Sequence, residues 1–115
     1  MIYVSFYYHE KKVKGFVARG HAQYAPHGKD LVCAAVSALT QTAVLGLKEV
    51  LTTEPLVNIK ETGYLACWLP KEITTGELEK VELLLTTLYL GLEAIKKNYG
   101  MYLQVEKRRW RPCLK

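Results

Sequence analysis

Cys33 and His21 are the two side chains of this 115-residue sequence whose types and spacing suit covalent chemistry together. A cysteine attacks as its thiolate, so it needs a base or a positive environment to shed the thiol proton. Apolar residues at steps of three and four, Val32, Val36, Leu39, Ala43, Leu47 and Val50, follow closely on Asp30 and share one face of a helix. Asp30 is a good N-cap, which places Cys33 in the first turn, among backbone N–H groups without intrahelical acceptors and at the positive end of the dipole. Both features favour a thiolate and can hold an oxyanion formed at an attacked carbonyl. Cys33 stands off the apolar stripe. Its neighbours at helical spacing are Ser37 and Gln41, a small polar stripe suited to a cleft or a sheet edge.

His21 opens the loop that ends at this helix. A loop returning from a strand end to a helix start can bring an imidazole within hydrogen-bond reach of sulfur. There it takes the thiol proton or, protonated, pairs with the thiolate. The bland alternative is that Cys33 is a packed core cysteine, since free cysteines are among the most buried residues. A second alternative is metal binding by His21, His27 and Cys33, which recur at six-residue intervals. That spacing has no close ligand pair of the kind structural zinc sites use, and no fourth ligand stands nearby. No metal or other cofactor is therefore expected. His27 reads as a solvated loop residue and His9 as a turn residue beside Glu10 and Lys11.

The elements that must position this pair follow from periodicity. Ile2, Val4, Phe6 and Tyr8 alternate with Tyr3, Ser5, Tyr7 and His9, and a second run covers residues 13–19, so the first twenty residues predict a β-hairpin. Pattern is absent from Gly20 to Asp30, where Gly20, Pro26 and Gly28 predict a long loop, of the length that often carries function. The first helix runs from Asp30 to about Thr53, because Pro55 disfavours helical geometry at Glu54. Residues 56–60 and 64–69 predict a second hairpin turning at Gly63. Thr74 and Glu77 form a capping box for a second helix, with Leu78, Val81, Leu85, Leu88, Leu92 and Ile95 on its inner face. A last strand occupies residues 101–106. The order β-β-α-β-β-α-β predicts an α+β two-layer sandwich, two helices packed on one face of a five-stranded mixed sheet.

Composition bounds the rest. The length suits one domain, here residues 1–106, and 50% of the residues are hydrophobic, enough for a core. Cys33, Cys67 and Cys113 are an odd number at unrelated spacings, which suits reduced thiols rather than a disulfide framework. The apolar runs are interrupted by Lys48, Glu49, Glu82 and Glu93, and residues 1–9 lack the layout of a secretory signal. A cytoplasmic location is the expectation. Of the 16 basic residues, Lys107, Arg108, Arg109, Arg111 and Lys115 fall in the acid-free stretch 107–115, leaving a neutral body with 11 of each sign. This stretch reads as a flexible basic tail, and nucleic-acid contact is expected only through it.

Gly20-His21-Ala22, followed by Gly28-Lys29-Asp30-Leu31-Val32-Cys33-Ala34-Ala35-Val36-Ser37, resembles the signature of the ribosomal-processing cysteine protease family, Prp. Element order and length extend the similarity over residues 1–106. The resemblance implies a cysteine endopeptidase that removes a short N-terminal extension from large-subunit ribosomal protein 27. It puts the family's histidine on His21 and its cysteine on Cys33, with Asp30 and Ser37 as supporting residues. It further implies a homodimer and a mobile loop over the site, here Ala22, Gln23, Tyr24, Ala25, Pro26, His27, Gly28 and Lys29. The competing reading is a ribosome- or RNA-binding module without catalysis, motivated by the basic tail and by Tyr3, Tyr7 and Tyr102.

Overall fold

The structure, a computed structural model, describes residues 1–20 and 27–112, with the backbone alone for residues 27–30. Its elements are β1 (Ile2–His9), β2 (Lys12–Arg19), α1 (His27–Val50), β3 (Leu56–Lys60), β4 (Tyr64–Trp68), α2 (Thr75–Tyr99) and β5 (Leu103–Arg109). The strands lie in the order β3-β4-β2-β1-β5. The two hairpins make antiparallel pairs, β2 joins β4 antiparallel, and β5, arriving after a helix, pairs parallel with β1. This is the expected α+β architecture, a mixed five-stranded sheet with two helices.

Strand alternation decides what each face does. Ile2, Val4 and Phe6 of β1 join Phe16, Ala18, Leu65, Cys67, Leu103 and Val105 under the helices. Val32, Val36, Ala43, Val44 and Leu47 of α1 and Val81, Leu85, Leu88 and Leu92 of α2 close that core. The residues between them point to the other face, where Tyr7, Val17, Ala66 and Trp68 form a second small cluster with Tyr64 and Trp110 packed on it. Leu31–Val50 is by length and composition apolar enough to cross a bilayer, because Lys48 and Glu49 interrupt it only at its end. In this fold its apolar stripe is spent on the core.

Three boundaries differ from the sequence expectation. First, α1 begins at His27, so residues 27–29, expected as loop, are helical and Asp30 lies inside the first turn rather than at the N-cap. Residues 27–30 carry no apolar side chain to mark a buried face, so the helix runs ahead of its own stripe. Second, α1 stops at Val50, its last i→i−4 bond being Leu51 N–H to Leu47 O at 3.0 Å. Third, residues 107–109 are not a tail. Lys107, Arg108 and Arg109 pair with Phe6, Tyr7 and Tyr8, and Trp110 N–H donates to Tyr8 O at 2.8 Å. β1 offers backbone partners for its full length, and charged side chains are well suited to an edge strand.

Candidate active site

A cavity of about 440 Å³ lies between the first half of α1 and one end of the sheet. Cys33, Ser37, Thr40 and Gln41 supply its helical wall, Ile2, Ala18 and Leu65 its floor, and the β3–β4 hairpin its far side through Ile59, Lys60, Glu61, Gly63 and Tyr64. The polar stripe read from the sequence is therefore the part of α1 that faces open space. Cys33 is half-buried: it packs against the main core on one side and borders the cavity on the other. One turn on, Ser37 Oγ accepts from Gln41 Nε2 at 2.8 Å. Thr40, buried in the wall, donates to Val36 O at 2.8 Å and so presents no free hydroxyl proton to the cavity.

The opposite rim is built on Gly20. Its N–H donates to Gly63 O at 3.0 Å, tying the end of β2 to the β3–β4 turn. Its φ of +121° is one that side chains rarely adopt, and a Cβ there would stand 2.3 Å from Met1 O. Glycine is thus required where β2 reaches the cavity, at the residue that precedes His21 in the sequence. His21 itself lies outside the described residues, as do Ala22, Gln23, Tyr24, Ala25 and Pro26 of the expected substrate loop; of His27, Gly28, Lys29 and Asp30 only the helical backbone is described. The rim also carries charge. The Arg19 guanidinium lies 5.5 Å from the Tyr3 ring centre and Lys60 Nζ 5.2 Å from that of Tyr64.

Starting α1 at His27 makes Cys33 its seventh residue. The sulfur is then in the second turn, not the first, and the unpaired amides belong to residues ahead of it. The dipole acts mainly within the first turn, so the geometry gives Cys33 less help from the helix start than the sequence suggested. Cys67 is the contrasting thiol: fully buried in β4, it is pushed up to about 12 by burial, against a smaller opposing pull from Lys48. Burial therefore disfavours its thiolate. The cavity residues of the β3–β4 hairpin were not foreseen; Ile59, an aliphatic residue on a short strand that remains 56% exposed, marks this site only once the fold is known.

The sequence profile of the family described as cysteine protease Prp matches residues 1–104. This chain belongs to that family. The ribosomal processing cysteine protease Prp of Bacillus subtilis strain 168 is 36% identical to it over 98 residues, 84% of this chain and 88% of that protein. The protein of the same name from Staphylococcus aureus strain Mu50 is 27% identical over 91 residues, 79% of this chain and 83% of the relative. Among solved structures, one from Streptococcus mutans superposes with a TM-score of 0.78 at 28% identity and covers 96% of each chain. The Staphylococcus aureus essential ribosomal processing protease Prp, solved in complex with a substrate peptide, shares the fold with a TM-score of 0.78 at 22% identity, over 93% of this chain and 99% of that one. The Prp family is one of cysteine proteases, and the half-buried thiol beside a 440 Å³ cavity is the feature of this chain that such chemistry requires.

Proposed function

We propose that this chain is an endopeptidase that removes the N-terminal extension of a ribosomal protein, large-subunit ribosomal protein 27, by attack of Cys33 on the peptide bond. The observation that carries the reading is the Cys33 thiol in the wall of a cavity with an apolar floor, in a chain of the Prp family. His21 acts as the base. It takes the proton from Cys33 Sγ, the sulfur attacks the scissile carbonyl carbon, and the carbonyl electron pair moves to oxygen. Collapse breaks the C–N bond, and the leaving amine takes the proton from His21. Water then gives a proton to His21 and attacks the thioester; the C–S bond breaks and the sulfur recovers the proton, releasing the acid product. Atoms and charge balance over the cycle: one peptide bond and one water give one amine and one carboxyl.

Ser37 and Asp30 support this chemistry. Ser37 sets a hydroxyl one turn from the sulfur, and Asp30, whose backbone lies in the first turn of α1, is the second supporting residue. Residues 22–29 bind or cover the substrate, their last part as the opening turn of α1. The enzyme works in the cytoplasm as a homodimer, and Leu45, Leu83 and Leu90, each more than 60% exposed on the helices, offer apolar surface for a second copy. Mass spectrometry of the precursor of ribosomal protein 27 after incubation with the purified protein tests the reading. A mature-length product with the native chain, absent with Cys33→Ala, is expected; unchanged cleavage by that variant rejects Cys33 as the nucleophile.

A further inference from the structure

We infer that the end of the sheet remote from the cavity is a docking surface for single-stranded nucleic acid. The first ground is where the charge sits. Residues 8–14 and 106–112 together hold seven basic side chains, Lys11, Lys12, Lys14, Lys107, Arg108, Arg109 and Arg111, against two acidic ones, Glu10 and Glu106. The surplus of five equals the formal charge of the whole chain, so the charges of the other residues sum to zero. The fold creates this basic pole. The parallel register sets Phe6 beside Lys107, Tyr7 beside Arg108 and Tyr8 beside Arg109, which brings the β1–β2 turn and the end of β5 together from opposite ends of the sequence. Both acids are already engaged, Glu106 by the Ser5 hydroxyl at 2.9 Å and by Arg108 at 3.7 Å, Glu10 by His9 at 4.0 Å. Glu82 and Glu93 of α2 also act on this end of the sheet, through Tyr8 and Tyr89, and even with them the seven cations outnumber the acids.

The second ground is the shape and chemistry between those cations. A depression of about 560 Å³ opens there, its walls made by Tyr8, His9, Lys11, Lys107, Arg108 and Arg109 with one acid, Glu10. Rings stand beside the charges on both faces of this sheet end: on the open face Lys14 Nζ lies 5.6 Å from the Trp110 ring centre and His9 meets the same ring edge-on at 5.9 Å, and on the helix face Lys107 Nζ sits 5.7 Å from the Tyr8 ring and 4.7 Å from that of Tyr89. Cations that track a phosphate backbone beside rings on which bases stack are the combination that single strands use. A lipid surface fits less well, because none of the large hydrophobic side chains that are exposed among the described residues belongs to this pole. A strand of eight residues separates the two ends by roughly 25 Å, so nucleic acid held here leaves the cavity free.

The test is fluorescence anisotropy of a fluorescein-labelled oligouridylate titrated with the full chain at several salt concentrations. The expected slope of log affinity against log salt is about −3.5 to −5, five to seven cations each releasing about 0.7 of a counterion. Replacing four cations together (Lys11→Asn, Lys12→Gln, Arg109→Gln, Arg111→Gln) weakens binding at least about tenfold and flattens the slope by about 3, with an unchanged thermal melt as the folding control. If that variant does not fold, Arg109→Gln alone on its exposed strand position flattens the slope by about 0.7. Trp110→Leu weakens binding about tenfold with no change of slope. Undiminished binding by the folded four-site variant or, where it does not fold, an unchanged slope for Arg109→Gln overturns the inference, as does equal affinity for labelled polyglutamate or for phosphatidylserine vesicles.

Discussion

The two helices each follow a β-hairpin, and their first halves are put to different uses. At the head of α2, Thr74 Oγ1 accepts from Glu77 N–H at 3.2 Å and Glu77 Oε1 accepts from Thr74 N–H at 3.0 Å, a closed capping box. The second carboxylate oxygen accepts from Thr52 N–H at 2.6 Å, so one side chain also fastens the loop that leaves α1. The first half of α1 instead turns Cys33 and Ser37 toward a cavity. The difference shows how a doubled hairpin-helix unit is divided: one helix start spends its polar groups on closing the chain, and the other helix keeps a thiol and a hydroxyl facing open space from its second turn onward.

The sharpest way to break this comparison is to remove the sulfur. Cys33→Ala should reduce cleavage of the ribosomal precursor to background while leaving the melting temperature near that of the native chain; Glu77→Ala should do the reverse. His21→Ala should lower the cleavage rate by about 10²- to 10⁴-fold, measured as initial rates at saturating precursor. Next in size is the rim: Gly20→Ala forces a side chain onto Met1 O and should cost about 1–3 kcal/mol in urea unfolding, with cleavage impaired as well. Thiol labelling gives a further contrast. In the folded chain iodoacetamide should modify Cys33 and spare Cys67, which is fully buried and pushed up to about 12, until denaturant exposes both; peptide mapping reads the outcome, and early labelling of Cys67 would contradict the packing described.

The smallest effect concerns the capping carboxylate. The backbone N–H of Thr52 first, then those of Thr74 and its hydroxyl, hold Glu77 down to about 2 from an ordinary value near 4.5. A depressed carboxylate contributes stability above its unfolded value and loses it as pH falls through the folded one. Glu77→Ala should therefore melt below the native chain at neutral pH, with the gap narrowing from about pH 4.5 and closing near pH 2. Because this carboxylate is solvent-exposed, added salt should shrink the gap. Melting curves over that range check it; a gap constant with pH would assign the effect to lost packing instead.

Much of the fold was legible because its cues are local. Alternation placed β1 and β2, the step of three and four placed the buried faces of both helices, and Thr74 with Glu77 announced the start of α2 to the residue. The start of α1 was misread because His27, Gly28, Lys29 and Asp30 are polar whether they form a loop or a first turn. The strand character of Lys107, Arg108 and Arg109 is hidden for a related reason: past Val105 the strand runs beyond the core and carries no apolar alternation, and only the pairing with β1 reveals it.

By itself the sequence set two thiols apart, since Cys33 stands off an apolar stripe while Cys67 alternates into a strand, and it determined the order and kind of the described elements. Tertiary structure alone decided what surrounds that thiol and where the charge collects. The wall opposite Cys33 comes from a hairpin more than twenty residues later, and the basic pole comes from a parallel register between the first strand and the last. Local patterns encode which way a side chain faces; they do not encode which distant backbone arrives beside it, because that depends on how all the buried faces pack at once.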